Sequence, residues 1–452
     1  MDGLAGKLSA ALALGLCMSV WPAPALGGTP RSGVPAPVAR RAQAAPAAPA
    51  APLGGVNVAA AEGGLPLSLA DREIARARAL HARVVRTEVS WAALEPRAAG
   101  AIEPQALAFL DRLVGDAAAS GIKVIVTADF TPCWASSAPR TLLSRCRPGD
   151  PSRANAWPPG NPSAYAAFVA YLAARYGTRL AAIEVWNEPD QANEDYLAGP
   201  AKPQHYAALL RAAYTAIKQA NPAVPVLAGS LVGSNGTFLR ALYAAGIKGY
   251  YDGLAVHFYN LTLGSLRALH EVQLANGDRT PLWLDEFGWS SCWPRQRIEQ
   301  EQACVTPAVQ AKDIVNLYRS LARTPWVAAQ VLYKLQDSAG EAFGVLGAKG
   351  ARKPAFAALA GVLANPLGSP SRVTLKLRRR GGRVVASGEG PVGDYMQLEV
   401  LRGGALRYRA LFSLNRFNRY SIPLPAALGT RGLTVRVFQY WQGRGRDARR
   451  SI

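Results

Sequence analysis

The 452-residue chain is half hydrophobic, and its 51 basic against 30 acidic residues give a formal net charge of +21. This length exceeds one average domain, and the apolar fraction suffices for a large buried core. The one long apolar run, Leu8–Val20, is shorter than the about 20 residues that a membrane span needs. Composition therefore predicts a globular chain and excludes a protein built from several membrane spans.

The first 25 residues have the pattern of a secretion signal. Lys7 precedes the apolar run Leu8–Val20, and the small-residue site Ala23-Pro24-Ala25 follows it. We expect cleavage after Ala25 and a secreted, extracellular or cell-surface protein; an uncleaved N-terminal anchor is the alternative. Residues 26–52 are mostly Ala and Pro, and we expect a disordered tether because they have too few large apolar side chains to offset the entropy of ordering.

Four cysteines remain once the signal, with Cys17, is removed. In an oxidising compartment an even set of this kind forms disulfides, and sequence alone allows three pairings. We expect the two local ones, Cys133–Cys146 and Cys292–Cys304, each of which would stabilise the fold by roughly 3 kcal/mol. A zinc site is the rival interpretation, but it needs closely spaced Cys and His residues that the sequence lacks. We predict no metal and no organic cofactor.

The basic excess favours an anionic partner, such as an acidic polysaccharide, a wall polymer, a membrane surface or nucleic acid. We expect no nucleic acid, because the charges form no patch interleaved with aromatic residues. A solvated basic surface is the competing explanation.

Residues 53–366 alternate short apolar runs with amphipathic stretches, which is typical of β/α units around a parallel sheet. Eight strands, each followed by a helix, favour a closed (β/α)8 TIM barrel of the α/β class over an open sheet. The predicted strands are Gly55–Val58, Val84–Val89, Val124–Ala128, Ile183–Trp186, Val226–Gly229, Leu254–Phe258, Leu282–Asp285 and Ala329–Tyr333. The predicted helices are Leu69–His81, Gln105–Ala119, Tyr165–Tyr176, Tyr206–Gln219, Phe238–Ala245, Ser265–Leu274, Val309–Ala322 and Pro354–Leu363.

Residues 367–442 have the pattern of short β-strands, and Gly381-Gly382 and Gly403-Gly404 are candidate hairpin turns between them. We predict a small antiparallel β-sandwich, followed by a basic tail at 443–452. The excess of basic residues here suits contact with an anionic polymer. The predicted strands are Val373–Leu377, Val384–Gly388, Tyr395–Leu401, Tyr408–Leu414, Arg419–Pro423 and Leu433–Tyr440.

Two predicted barrel strands end in carboxylates, at the face where barrel active sites lie. Strand four runs into Trp186-Asn187-Glu188-Pro189, and strand seven into Trp283-Leu284-Asp285-Glu286-Phe287. Hydrolysis of a glycosidic bond needs one carboxyl group to protonate the leaving oxygen and another to attack or stabilise the anomeric carbon. Arg86 and Tyr259 are candidate donors that keep one carboxylate ionised. We expect Glu184 and Asp285, which lie close by in sequence, to have structural roles.

These strings resemble clan A glycoside hydrolases, family 39 first and family 5 next, from about Val56 to Asn365. The resemblance rests on Glu184–Asp190 and on the Trp-x-Asp-Glu-Phe-Gly setting of Glu286. It implies a retaining mechanism with Glu188 as general acid/base and Glu286 as nucleophile.

The resemblance also implies a set of substrate contacts. Asn187 would meet the sugar 2-hydroxyl, and Arg86 would orient Glu286 and keep it charged. The residues that it places in the substrate site are Arg86, Trp91, Asn187, His257, Tyr259 and Tyr333.

The ending of strand eight, Leu332-Tyr333-Lys334, departs from the clan, which often has a Trp there as a sugar platform. We expect Tyr333 to take that place, and Lys334 favours an acidic sugar. Tryptophans in loops after strands are further candidates for stacking on sugars, with local core packing as the alternative. They are Trp91, Trp134, Trp157, Trp289 and Trp293.

We therefore predict a secreted, retaining glycosidase that acts on an oligo- or polysaccharide outside the cell. The alternatives are an inactive carbohydrate-binding surface protein and a transglycosylase that uses the same two glutamates. Family 39 includes both exo-acting and endo-acting enzymes, so the resemblance leaves that choice open.

Overall fold

A computed structural model describes residues 51–61, 64–233, 235–259, 263–294, 304–338, 340–391, 395–440 and 447–452. The expected signal peptide and nearly all of the expected tether lie outside these residues. Among the helices that are described, none has both the length and the apolar composition that crossing a membrane requires.

Eight parallel strands close into a barrel in chain order, with β1 paired to β8. The prediction of a TIM barrel is confirmed. The strand sequences are nearly continuous apolar runs because both faces of a parallel barrel sheet are buried within the protein. They are β1 Leu53–Asn57, β2 Val84–Ser90, β3 Lys123–Asp129, β4 Leu180–Val185, β5 Val226–Leu231, β6 Gly253–Phe258, β7 Leu282–Phe287 and β8 Val327–Leu332.

Each predicted helix overlaps a helix of the structure, with its ends shifted by a few residues. Several helices begin with proline at the first position, where the missing N–H would have no helical partner. Two helices of one turn, α2 and α4, were not predicted. The helices are α1 Leu67–Ala79, α2 Trp91–Leu94, α3 Pro104–Ala119, α4 Arg140–Leu143, α5 Pro162–Tyr176, α6 Lys202–Ala220, α7 Thr237–Ala244, α8 Leu263–Ala275, α9 Pro307–Leu321 and α10 Pro354–Ala364.

Alternation along β2 shows how the barrel divides its side chains. Val85 and Val89 belong to the core that the strands share with the helices. Val84 belongs to a separate cluster of strand residues. Arg86 and Glu88 follow Val84 at intervals of two, so they share its face of the strand, inside the barrel.

Two antiparallel sheets follow the barrel, in the orders β13-β10-β9 and β12-β11-β14-β15. Buried side chains such as Val384, Leu398 and Val435 form their common core. The prediction of small antiparallel sheets is confirmed, although β15 was not predicted and lies within the expected basic tail. The strands are β9 Lys376–Arg380, β10 Arg383–Glu389, β11 Met396–Arg402, β12 Ala405–Phe412, β13 Arg419–Pro423, β14 Thr434–Gln439 and β15 Ala448–Ser451.

Helix α9 joins the barrel to these sheets through polar contacts. Lys312 Nζ lies 3.0 Å from Glu389 Oε2, and the buried Asp313 accepts a hydrogen bond from the Asn418 amide. Burial raises the pKa of Asp313 to about 7, although the Asn418 hydrogen bond lowers it in part.

Both disulfides expected from the sequence are present, Cys133–Cys146 and Cys292–Cys304. The first pins the loop between β3 and α5, where Leu142 and Trp157 pack around it. The second connects the region after β7 to the residues just before α9.

Candidate active site

Arg86 lies inside the barrel mouth and is 1% exposed. Its Nη1 donates to Glu286 Oε1 at 2.6 Å, and its Nη2 donates to Asn187 Oδ1 at 2.7 Å. Its Nε lies 3.2 Å from both Glu184 Oε2 and Asp285 Oδ2. Burial alone would lower the pKa of Arg86, but the surrounding carboxylates raise it well above its usual value. One guanidinium thus holds residues from β2, β4 and β7 together.

Two consecutive residues of β7 reach this guanidinium, which regular alternation would not allow. Val256 of β6 pairs with Leu284, and His257 pairs with Glu286, so Asp285 is an extra residue in the ladder. A bulge of this kind redirects side chains and is frequent at barrel rims. It turns both Asp285 and Glu286 toward Arg86.

The segment after β4 is held in an unusual backbone conformation. Trp186 and Glu188 have φ angles of 71° and 40°, in the left-handed region that favours glycine. Each such residue costs about 1–3 kcal/mol and is typical of functional sites. The Trp186 indole N–H donates to the Tyr196 carbonyl at 2.9 Å, which helps to hold the segment. As a result Asn187 points to Arg86 and Glu188 to His257.

Glu188 and Glu286 face each other across the barrel mouth. A carboxylate oxygen of Glu188, a carboxylate oxygen of Glu286 and a ring nitrogen of His257 all lie within 4.8 Å of one another. His257 Nδ1 lies 2.6 Å from Glu188 Oε1, and the Tyr259 hydroxyl donates to Glu286 Oε2 at 2.9 Å. Glu286 therefore receives hydrogen bonds from two side chains, Tyr259 and Arg86.

His257 is fully enclosed among carboxylates. Burial lowers the pKa of its imidazole, but the negative charges of Glu286 and Asp285 more than offset this and leave the pKa well above its usual value. These charges therefore favour the protonated ring, in which Nδ1 donates to Glu188 Oε1.

Two carboxyl groups, those of Glu184 and Asp285, are buried beneath the rim and differ in their protonation. Burial raises the pKa of Glu184 to about 8, although Arg86 opposes this. Asp285 is equally buried, but His257 and Arg86 bring its pKa below the usual value. Glu184 is thus mostly protonated and Asp285 ionised at neutral pH. Ser230 Oγ contacts Glu184, which adds a hydrogen-bond partner for the neutral acid.

Two groups of side chains have the spacing of a metal site: Glu184, His257 and Asp285, and Glu188, His257 and Glu286. In both, positive charge is already supplied within the protein. Arg86 contacts Glu184, Asp285 and Glu286, and the protonated His257 belongs to both groups. A cation would compete with these charges, so we assign no ion to either group.

Trp91 was predicted to contact substrate, and this prediction is wrong. Its side chain is 0% exposed, stacks on Phe168 at a centroid distance of 5.8 Å and donates to Glu95 Oε2 at 2.8 Å. It begins α2 and packs beneath the rim. Of the other loop tryptophans, Trp134 is 37% exposed, whereas Trp293 contacts Phe417 in the loop between β12 and β13.

Tyr333 and Lys334 line a cavity of about 350 Å³ beside Glu286. The Tyr333 hydroxyl donates to Glu341 Oε2 at 3.0 Å, and Lys334 Nζ lies 2.6 Å from the same oxygen. Tyr333 thus lines the same cavity as Glu286, and its role as a sugar platform stays a prediction. The charge of Lys334 is already compensated by Glu341.

Sequence reasoning missed three residues of the site. Glu88 lines the same cavity and lies two residues after Arg86, so strand alternation could have identified it. Asn57 closes β1 and accepts from Arg86 Nη1 at 3.0 Å; a polar residue that ends an apolar run is a usable signal. Tyr196 stacks on Phe130 at 5.7 Å, and the negative charges of the site, with that of Glu88 first, raise its pKa. Nothing in the local sequence places it at the mouth.

The closed barrel and the comparisons with known proteins identify the chain as a clan A glycoside hydrolase. The family model described as cellulase, glycosyl hydrolase family 5, matches residues 68–316, which is more than half of the chain. The chain belongs to glycosyl hydrolase family 5. It is a glycosidase by this membership. The sequence motifs alone resemble family 39 first and family 5 next.

Solved structures of several clan A families share the fold. A family 39 glycoside hydrolase from the gut symbiont Bacteroides cellulosilyticus WH2 is 20% identical, with a TM-score of 0.54 over 83% of this chain and 80% of its own. A GH5_18 protein from Streptomyces cattleya is 19% identical, with a TM-score of 0.51 over 72% and 83%. A GH39 β-xylosidase from Caulobacter crescentus is 20% identical, with a TM-score of 0.50 over 80% and 84%. No curated protein sequence matches the chain.

Proposed function

We propose that the protein is a retaining glycosidase in which Glu188 is the general acid/base and Glu286 the nucleophile. The observation that carries this proposal is the approach of the two carboxylates, whose facing oxygens lie within 4.8 Å. Retaining enzymes hold the two carboxyl groups about 5–5.5 Å apart, whereas inverting enzymes need about 6.5–9.5 Å to admit a water molecule.

In the first step the Glu286 carboxylate attacks the anomeric carbon and the bond to the leaving oxygen breaks. The proton of the Glu188 carboxyl group passes to that oxygen. Arg86 and Tyr259 donate to Glu286, and these hydrogen bonds orient its carboxylate for attack. These donors are fixed in place, so they need no reorganisation during the reaction.

In the second step Glu188, now a carboxylate, takes a proton from water. The resulting hydroxide attacks the anomeric carbon, and the ester bond to Glu286 breaks. Two displacements on one carbon return the original configuration. The contact of His257 with Glu188 supports an orienting role for the imidazole in both proton transfers.

The orientation of Asn187 supports its proposed contact with the sugar 2-hydroxyl. Arg86 has only hydrogen-bond donors, so the Asn187 atom beside it is the oxygen. Ser230 Oγ also lies 3.2 Å from this oxygen. The amide N–H groups are therefore left to donate to a substrate.

We further propose that the protein acts on an oligo- or polysaccharide outside the cell. Two disulfides suit an oxidising compartment, in agreement with the signal pattern in the first 25 residues. The exposed basic residues of β9, among them Arg378 and Arg380, would let the C-terminal sheets contact an anionic polymer.

The proposal is tested by replacing each glutamate with glutamine. Glu188→Gln and Glu286→Gln should each lower turnover about a thousandfold or more on a glycan that the native protein cleaves. Glu271 is exposed on α8, so Glu271→Gln is the matched control and should retain activity. The glycan is found by screening plant, bacterial and acidic polysaccharides. Native turnover in either site variant contradicts the assignment.

The stereochemistry has its own measurement. Proton NMR of the first product formed should show the anomeric configuration of the substrate. An inverted first product would exclude the double displacement even if both glutamates proved essential.

A further inference from the structure

Glu88 brings a third carboxylate to the cavity beside Glu286. Its side chain is 25% exposed, and its Oε1 lies 3.9 Å from Arg86 Nη1, beyond hydrogen-bond distance. Within the described ranges of the chain, its carboxylate makes no hydrogen bond to the protein. Glu88 is therefore free to bind a group that enters the cavity.

The positive charges that line this cavity are already engaged. Arg86 has two carboxylates, Asp285 and Glu286, within 3.2 Å, and Lys334 is paired with Glu341 at 2.6 Å. Glu73, a further acidic residue of the lining, accepts a hydrogen bond from a backbone N–H group at 2.7 Å. A negatively charged ligand would thus meet Glu88 with no uncommitted cation among the described lining residues.

We propose that Glu88 selects the sugar bound next to Glu286, favouring one that carries an ammonium group, a hexosamine, over its neutral counterpart and rejecting a uronic acid. This proposal rests on the proposed function, because the cavity is taken to hold the sugar on the nucleophile side of the scissile bond. It replaces the expectation of an acidic sugar, which depended on an unpaired Lys334.

The physical reason is charge compensation in a partly enclosed site. A carboxylate beside other carboxylates is stabilised by a cation and destabilised by a further anion. A hydrogen bond to a charged partner contributes more than one to a hydroxyl, so an ammonium group should gain about tenfold in affinity over a hydroxyl at the same position. A sugar carboxylate would be repelled.

The protonation of Glu88 gives the proposal a pH signature. Burial raises the pKa of Glu88 to about 7; Arg86 lowers it in part, and Glu286 raises it again. Selection for the ammonium group should strengthen from about pH 5.5 to about pH 7.5, as Glu88 ionises while the sugar amine, with a pKa near 8, stays mostly protonated. The titratable groups that face Glu88 or line the same cavity are Glu73, Arg86, Glu188, Tyr196, His257, Glu286, Tyr333, Lys334 and Asp337.

The experiment measures binding of three matched free sugars, glucosamine, glucose and glucuronic acid, and of the corresponding galactose series, to the full-length protein. The native protein should prefer the amino sugar about tenfold over the neutral one at about pH 7.5 and lose this preference near pH 5.5. Glu88→Gln should reduce the preference to less than about threefold at both pH values. Glu88→Asp, which keeps the charge, should restore part of it, and Glu271→Gln should leave it unchanged.

Equal or undetectable binding of the three sugars, tighter binding of the uronic acid, or an unchanged preference in Glu88→Gln would each overturn the proposal. Thermal melting of each variant checks that it is folded. Failure of the proposed function is separable: hydrolysis that needs Glu188 and Glu286 but ignores residue 88 rejects only the role of Glu88. A preference that depends on Glu88, in a protein that hydrolyses no glycan, rejects only the reaction.

Discussion

Strand β2 of the barrel and strand β9 of the C-terminal sheets both carry charged side chains, with opposite consequences. Arg86 and Glu88 lie on the enclosed inner face of the barrel, where Arg86 has carboxylate partners. Lys376, Arg378 and Arg380 of β9 are exposed, and water solvates them. Charged residues of a strand therefore form a cluster of ion pairs where the sheet closes and a basic surface where it stays open. The large net charge of the chain says nothing about the site.

The largest expected effect comes from removing the central cation of the barrel. Arg86→Met leaves buried Asp285 and Glu286 without their partner, which should cost about 3–5 kcal/mol of unfolding free energy and abolish activity. The matched change on β9, Arg380→Ala, should alter stability by less than about 0.5 kcal/mol. Urea unfolding of both variants measures the difference. Similar losses of unfolding free energy in the two variants would show that enclosure in the barrel does not make the charge of Arg86 more important to stability than that of Arg380.

The next largest effect is expected from the Cys133–Cys146 disulfide. All four cysteines of the expected mature chain precede the C-terminal sheets. Replacing Cys133 and Cys146 together with serine should lower the stability of the barrel by about 3 kcal/mol, because the open chain regains loop entropy when it unfolds. Calorimetry with and without reductant measures the loss. A native protein whose stability does not respond to reductant would contradict this value.

A finer test separates the two buried carboxyl groups beneath the rim. Asp285→Asn removes a negative charge next to Arg86 and His257 and should cost about 2–3 kcal/mol. Glu184→Gln replaces an acid that is already mostly neutral, because its pKa is raised to about 8, and should cost less than about 1 kcal/mol. Denaturation of both variants at pH 7 gives the two values. The reverse order would mean that the proton resides on Asp285.

The smallest effect lies at the junction of the two regions. Asp313 is 1% exposed, and burial raises its pKa to about 7. The folded protein therefore holds this proton more tightly than the unfolded chain, so stability should fall as pH rises from about 4 to about 7 and then level off. Asp313→Asn should remove on the order of 2 kcal/mol of this dependence between pH 5 and pH 8. Parallel pH profiles for native and variant proteins would show that the group does not titrate in this range.

Much of this architecture is readable from local sequence. Buried parallel strands are apolar runs, and the prolines that begin helices mark the boundaries between them. The carboxylates Glu188 and Glu286 follow such runs, so they could be assigned to the barrel mouth; their catalytic roles stay a prediction. Glu88 was within reach of the same reasoning, because alternation places it on the face of Arg86.

Other features depend on how loops and short helices turn back on the chain. The sequence predicts Lys334 to be an available cation, because it does not show that the loop after β8 brings Glu341, seven residues further on, into contact with it. The sequence predicts Trp91 to be an exposed loop residue, because it does not show that Trp91 begins a short helix and packs against Phe168. In both, burial and pairing are decided by other parts of the chain.

The bulge in β7 makes the position of Glu286 a property of strand alignment as well as of residue identity. Because Asp285 and Glu286 share one partner position on β6, deleting either residue would restore a regular ladder. A shortened strand could keep its apolar pattern and still close the barrel, but it would offer Arg86 one acid in place of two. Anyone who transplants this site onto another barrel must therefore copy the irregularity together with the side chains.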